Sequence, residues 1–174
     1  MNIVQEVLRE HSKAMRDRVV RYVGKSPARF AELVSVFLKG PYRVTQRAAW
    51  PLSYCVELHP QLIKPHLRKI ILNLKTPGLH HAVKRNTLRL LQFVDLPKSL
   101  QGIVTDFCFK FFSDPNEPIA VKVFSMSVLA KIARRQPDIG RELRLVIEDQ
   151  LPYAGPALLS RARKLVMGNH LTRE

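Results

Sequence analysis

Apolar residues along this chain recur at every third or fourth position. Between residues 3 and 23, Ile3, Val4, Val7, Leu8, Met15, Val19 and Val23 keep that spacing with Arg and Glu between them, which predicts one amphipathic helix stopped by Gly24. Ser26 and Pro27 supply an N-cap and a first-turn proline for the next helix, whose Phe30, Leu33, Val34, Phe37 and Leu38 form one face until Gly40-Pro41. The same punctuation predicts helices over 44 to 58, 61 to 74, 79 to 94, 98 to 112, 118 to 134, 138 to 149 and 156 to 167. Short joints such as Thr76-Pro77-Gly78 and Asp114-Pro115-Asn116-Glu117-Pro118 separate them. The result is about nine helices and no strand. Pro51 and Pro65 fall inside two of these segments. Each removes a backbone donor and crowds the carbonyl four residues earlier, so each bends its helix or marks a boundary.

A degenerate repeat overlies this pattern. Superposing the second helix of each hairpin aligns Arg47, Arg85, Lys122 and Arg161, at separations of 38, 37 and 39 residues. Leu52, Leu90 and Ser127 follow five places on, with Leu165 four places after Arg161, and Cys55, Phe93 and Ala130 follow eight places on, with Gly168 seven places after Arg161. A period near 38 residues is what stacked helical hairpins need, because no hairpin completes a core without its neighbour. On these residues the chain resembles the HEAT-like repeat superfamily and, within it, is similar to the HEAT-like alkylpurine DNA glycosylases. The resemblance runs over residues 28 to 167 and is strongest in VTQRAAWPLSYCVELHP at 44 to 60. It implies an all-α, right-handed αα solenoid of about four imperfect hairpins, with helix 3 to 23 as an N-terminal cap. Residues 1 to 174 would then form a single repeat domain.

Charge adds a functional clue. The chain carries 29 Lys and Arg against 14 Asp and Glu, a formal net charge of +15. Such an excess attracts polyanions without choosing among them. No stretch of 18 apolar residues exists, which excludes a transmembrane helix on length. The first residues, MNIVQEVLREHSKAM, interrupt any signal-peptide core with Glu6 and Glu10. Cys55 and Cys108, the two cysteines, sit in apolar segments and read as reduced core thiols. Together these features point to a cytoplasmic protein.

On a helical wheel Arg47, Trp50 and Tyr54 fall within about 60° of one another, away from the face made by Val44, Ala48, Leu52 and Cys55. Arg85, Arg89 and Gln92 occupy the corresponding sector of the next repeat, and Lys122, Arg161 and Lys164 continue it. In the HEAT-like family the second helices line the concave surface. The resemblance therefore implies a cationic track of Arg47, Arg85, Arg89, Lys122, Arg161 and Lys164, with Trp50 and Tyr54 as an aromatic patch. Such a track suits a DNA or RNA phosphate backbone, with an acidic protein partner as the second choice. No acidic residue lies between Glu57 and Asp95, where Lys64, Arg68, Lys69, Lys75, Lys84, Arg85 and Arg89 accumulate. The same side chains also suit an ordinary solvated face, since Lys and Arg cover apolar surface with their stems. Trp50 likewise serves either as packing or as a stacking platform.

Catalytic chemistry has little local support. HEAT-like glycosylases pair a carboxylate with aromatic residues to stabilise charge on an alkylated base. Asp106 and Asp95 are the interior acids, and Asp106 in IVTDFCFKFF is the catalytic candidate for that alternative. His80-His81 and Cys55/His59 lack further partners for a metal. His11, His59, His66 and His170 read as surface or helix-end residues, and the final LTRE segment carries no evident chemistry. No phosphate-loop, dinucleotide-binding, zinc-protease, serine-hydrolase or CxxC string occurs, so no cofactor is implied. The expected function is a non-enzymatic binding module.

Overall fold

Capping residues set where the helices begin. Asn2, Ser12, Ser26 and His80 each accept a backbone N–H in the first turn that follows them. Prolines open others, at position N1 of a helix or as the preceding cap, where a missing N–H costs nothing. The computed structural model describes residues 1–167. Gly168, His170 and the terminal LTRE segment lie outside the described residues. The described residues contain ten α-helices, with 3-10 turns between some of them, and no strand. None of these helices is long and apolar enough to cross a membrane.

The first unit spans Met1–Asp95. It holds α1 (Ile3–Arg9), α2 (Lys13–Val23), α3 (Pro27–Lys39), α4 (Tyr42–Leu58), α5 (Leu67–Leu72) and α6 (His81–Leu91). The single helix expected over 3 to 23 is two. Glu10 and Ser12 are extended, and the Ser12 hydroxyl accepts the Met15 N–H at 3.0 Å, starting a fresh helix. Arg18 of α2 ties back across this break to Glu6 at 2.6 Å and to Glu10. The stretch expected to be helical over 61 to 74 also differs. A 3-10 turn over Pro60–Ile63 is followed by α5 and a second 3-10 turn, Asn73–Lys75, and Pro65 sits in the break ahead of α5. Pro51, by contrast, lies within α4.

Helix α4 is the centre of this unit, packing against α1, α2, α3 and α6. Val44, Ala48, Ala49, Pro51, Leu52, Ser53, Cys55 and Val56 are all buried, a far wider arc than one amphipathic face. Its close approach to α3 depends on Gly40. A Cβ there would stand 2.6 Å from the Val36 carbonyl oxygen and 2.8 Å from Val44 Cγ1. Gly24, at φ 49, lets α2 end in a backbone conformation that side chains disfavour.

The second unit begins at Leu96. It holds α7 (Lys98–Ser113), α8 (Ile119–Ala133), α9 (Pro137–Gln150) and α10 (Pro156–Met167). Here α8 is central, packed by α7, α9 and α10 and buried from Ser125 to Ala130 without interruption. Polar ties close the helix ends. Gln136 donates to the Gln101 side chain at 2.6 Å, and Gln150 donates to the Phe112 carbonyl at 3.0 Å. In each unit, then, the second helices of successive hairpins meet: α4 with α6, and α8 with α10.

Candidate functional site

The Arg47, Trp50 and Tyr54 sector of α4 meets α1 and α2. Arg47 donates from Nη1 to the carbonyls of Val7 at 3.1 Å and Leu8 at 3.0 Å. Those carbonyls belong to the last turn of α1, which lacks helical partners for them and carries the negative end of the helix dipole. The Arg47 guanidinium thus fastens α1 to α4.

Trp50 and Tyr54 are also engaged within the chain. The buried Arg16 side chain of α2 lies 4.0 Å from the Tyr54 ring centroid and 5.1 Å from that of Trp50. Its charge is balanced by Asp17, reached at 2.8 Å from Nε and 2.5 Å from Nη2. From α6, Arg89 lies 4.3 Å from the Tyr54 centroid and 5.4 Å from Phe93. Arg89 also pairs with Glu57 and donates to the Ser53 hydroxyl at 3.2 Å. That buried hydroxyl is within hydrogen-bond reach of the Trp50 carbonyl at 2.8 Å and the Asn86 side-chain oxygen at 3.3 Å. Asn86 in turn donates to the Ala82 carbonyl at 2.8 Å. Tyr54 therefore sits among guanidiniums of its own chain, and Arg89 has its own carboxylate. Trp50 and Tyr54, expected as an aromatic patch, are both half-buried, and α2 and α6 engage them through cation–π contacts beside a charge-assisted pair.

Arg85 differs. It is exposed on α6 and has no ion pair among the described residues. Its charge is felt by His11, whose ring packs edge-on against Trp50 at 5.4 Å. Desolvation first, then the positive charges of Arg47 and Arg85, hold the His11 pKa below the usual imidazole range. So the structure brings Arg47, Trp50 and Arg85 together around His11, read from sequence as a surface or helix-end residue and exposed in the break between α1 and α2. Its place in the α1–α2 break was the missing signal: without Ser12 as a cap, His11 would lie mid-helix.

In the second unit Lys122 is half-buried on α8, Arg161 half-buried on α10 and Lys164 exposed on α10. Asp106 is exposed on α7. Among the described residues no three His, Cys, Asp or Glu side chains group so as to hold a metal ion. Cys55 and Cys108 are free and buried. Burial pushes the Cys55 thiol up to about 12 and raises that of Cys108 as well.

No curated protein and no solved structure matches the chain. A family model described as HEAT repeat domain matches residues 4–169, which includes the α1–α2 pair as well as the hairpins that follow. Helical hairpins joined through their second helices, a period near 38 residues and this match agree, and the chain belongs to the HEAT repeat domain family.

Proposed function

We propose that this HEAT repeat protein is a non-enzymatic binding scaffold whose ligand is a phosphate-rich polyanion, a nucleic-acid backbone in preference to an acidic protein. HEAT repeats as a class build extended binding surfaces from stacked hairpins. One observation carries the choice of ligand: Arg85 stands exposed beside Arg47 and His11, and neither arginine has an ion pair among the described residues. An anion placed there would meet positive charge from α4 and α6 together. The net charge of +15 supports the same sign of ligand.

In this reading Arg85 makes the principal contact in the first unit and Arg47 contributes its remaining donors. Arg89, Trp50 and Tyr54 form the frame that fixes α6 on α4. Lys122, Arg161 and Lys164 are the corresponding cations of the second unit, and the whole span 1 to 174 acts as one repeat domain, as the single family match across 4–169 supports. The test is titration of labelled duplex DNA and single-stranded RNA at several salt concentrations. Arg85→Gln should weaken binding across unrelated sequences and reduce the logarithmic salt slope by about one. A wild-type protein that binds polyglutamate but neither nucleic acid near 0.15 M salt would refute the phosphate reading. Release of an alkylated base, lost in Asp106→Asn, would replace the scaffold reading with an enzymatic one.

A further inference from the structure

The segment Pro60–Lys75 presents a second concentration of charge, on elements separate from the α4 and α6 sector. Its apolar side chains Leu62, Ile63, Leu67, Ile70, Ile71 and Leu74 are buried and Leu72 is half-buried. Lys64, Arg68, Lys69 and Lys75 are all exposed, and none has an ion pair among the described residues. No carboxylate occurs between Glu57 and Asp95, and Glu57 is already committed to Arg89. A solvated surface usually mixes signs, because nearby like charges repel. Here four cations follow one another along a 3-10 turn, α5 and a second 3-10 turn with no carboxylate of the segment to offset them.

We infer that this face is a second contact surface for the backbone of double-stranded nucleic acid. The inference rests on the phosphate reading above and extends it to different elements of the first unit. The composition of the face selects the ligand. Between Pro60 and Gly78 no large apolar side chain is exposed, so there is no desolvated centre of the kind a protein interface needs. The aromatic platform that single-stranded bases stack on is missing from this segment too, since it contains no Phe, Tyr or Trp. Closely spaced cations with flexible stems and polar neighbours instead suit a regular array of phosphates, held by charge and counterion release without reading sequence.

The experiment compares the full chain with the variant K64Q/R68Q/K69Q/K75Q, using a fluorescein-labelled duplex and fluorescence anisotropy from about 50 to 200 mM NaCl. The variant should lose at least about tenfold in affinity at the lower salt, and its logarithmic salt slope should fall by roughly three to four, near 0.9 for each phosphate contact removed. The pairs K64Q/K75Q and R68Q/K69Q should each give about half the slope change, and they decide the matter should the fourfold variant fail to fold. If wild type binds duplex and these variants keep its slope while Arg85→Gln lowers it, this inference falls and the phosphate reading stands. If wild type binds single-stranded RNA but no duplex, this inference falls and the phosphate reading stands, and if it binds neither, both fall. A variant that loses polyglutamate binding but retains duplex binding would also overturn the inference, identifying the face as one for an acidic protein.

Discussion

Replacing Arg89 by Met keeps the aliphatic stem and removes the charge that joins α6 to α4. The ion pair with Glu57 is partly solvated, with side chains 19% and 34% exposed, so about 1 kcal/mol is appropriate for it. The bond to the buried Ser53 hydroxyl adds about 1 kcal/mol, and the contact with Tyr54 at 4.3 Å about 0.5 to 1 kcal/mol. The expected loss is therefore about 2 to 3 kcal/mol. Trp50 is the sole tryptophan and lies next to this network, so its fluorescence during urea unfolding reports the first unit. A double-mutant cycle with Glu57→Gln should give a coupling of about 1 kcal/mol. Arg85→Gln, which removes an exposed and unpaired cation, should shift stability by less than about 0.5 kcal/mol. A loss below about 0.5 kcal/mol for Arg89→Met, or no coupling to Glu57, would refute the assignment of Arg89 as a strut between helices.

Other consequences follow from local geometry and charge. Gly40→Ala should destabilise the protein by about 1 to 3 kcal/mol, because the new Cβ meets the Val36 carbonyl and Val44, and thermal melting reads this directly. Arg47→Met should leave the last carbonyls of α1 without their donors and speed amide hydrogen exchange in α1 by about tenfold, with α3 amides unaffected. His11, His66 and His80 all have pKa values held below the usual one, in each case first by desolvation and then by nearby positive charge. The unfolded chain therefore binds protons more readily, so stability should be full above pH ~6.5 and decline as the pH falls through the depressed folded values. His80→Asn, which preserves an N-cap acceptor for Ala82, should flatten part of that decline in urea midpoints measured from pH 8 to 5.

The periodicity of apolar residues determined that the chain is helical and where most helices end, since caps, prolines and the 3.6-residue repeat act through neighbours in sequence. Ser26-Pro27, Gly40-Pro41 and the proline-rich joint at 114 to 118 mark boundaries that the fold keeps. The repeat also made the family legible, because each hairpin must present the same positions to the next. Ser12 was equally local, yet the continuing apolar pattern on either side hid its cap within one long helix. What sequence could not decide was the fate of α4's polar sector. A helical wheel separates apolar from polar positions, but it does not show how many neighbours a helix will have. With α1, α2, α3 and α6 all around α4, Arg47, Tyr54 and Arg89 become internal fasteners, while Arg85, one turn before Arg89, stays in water. These arginines look alike in the repeat, and only the packing of distant segments, whose carbonyls, rings and carboxylates arrive from elsewhere in the chain, distinguishes a strut from a free cation.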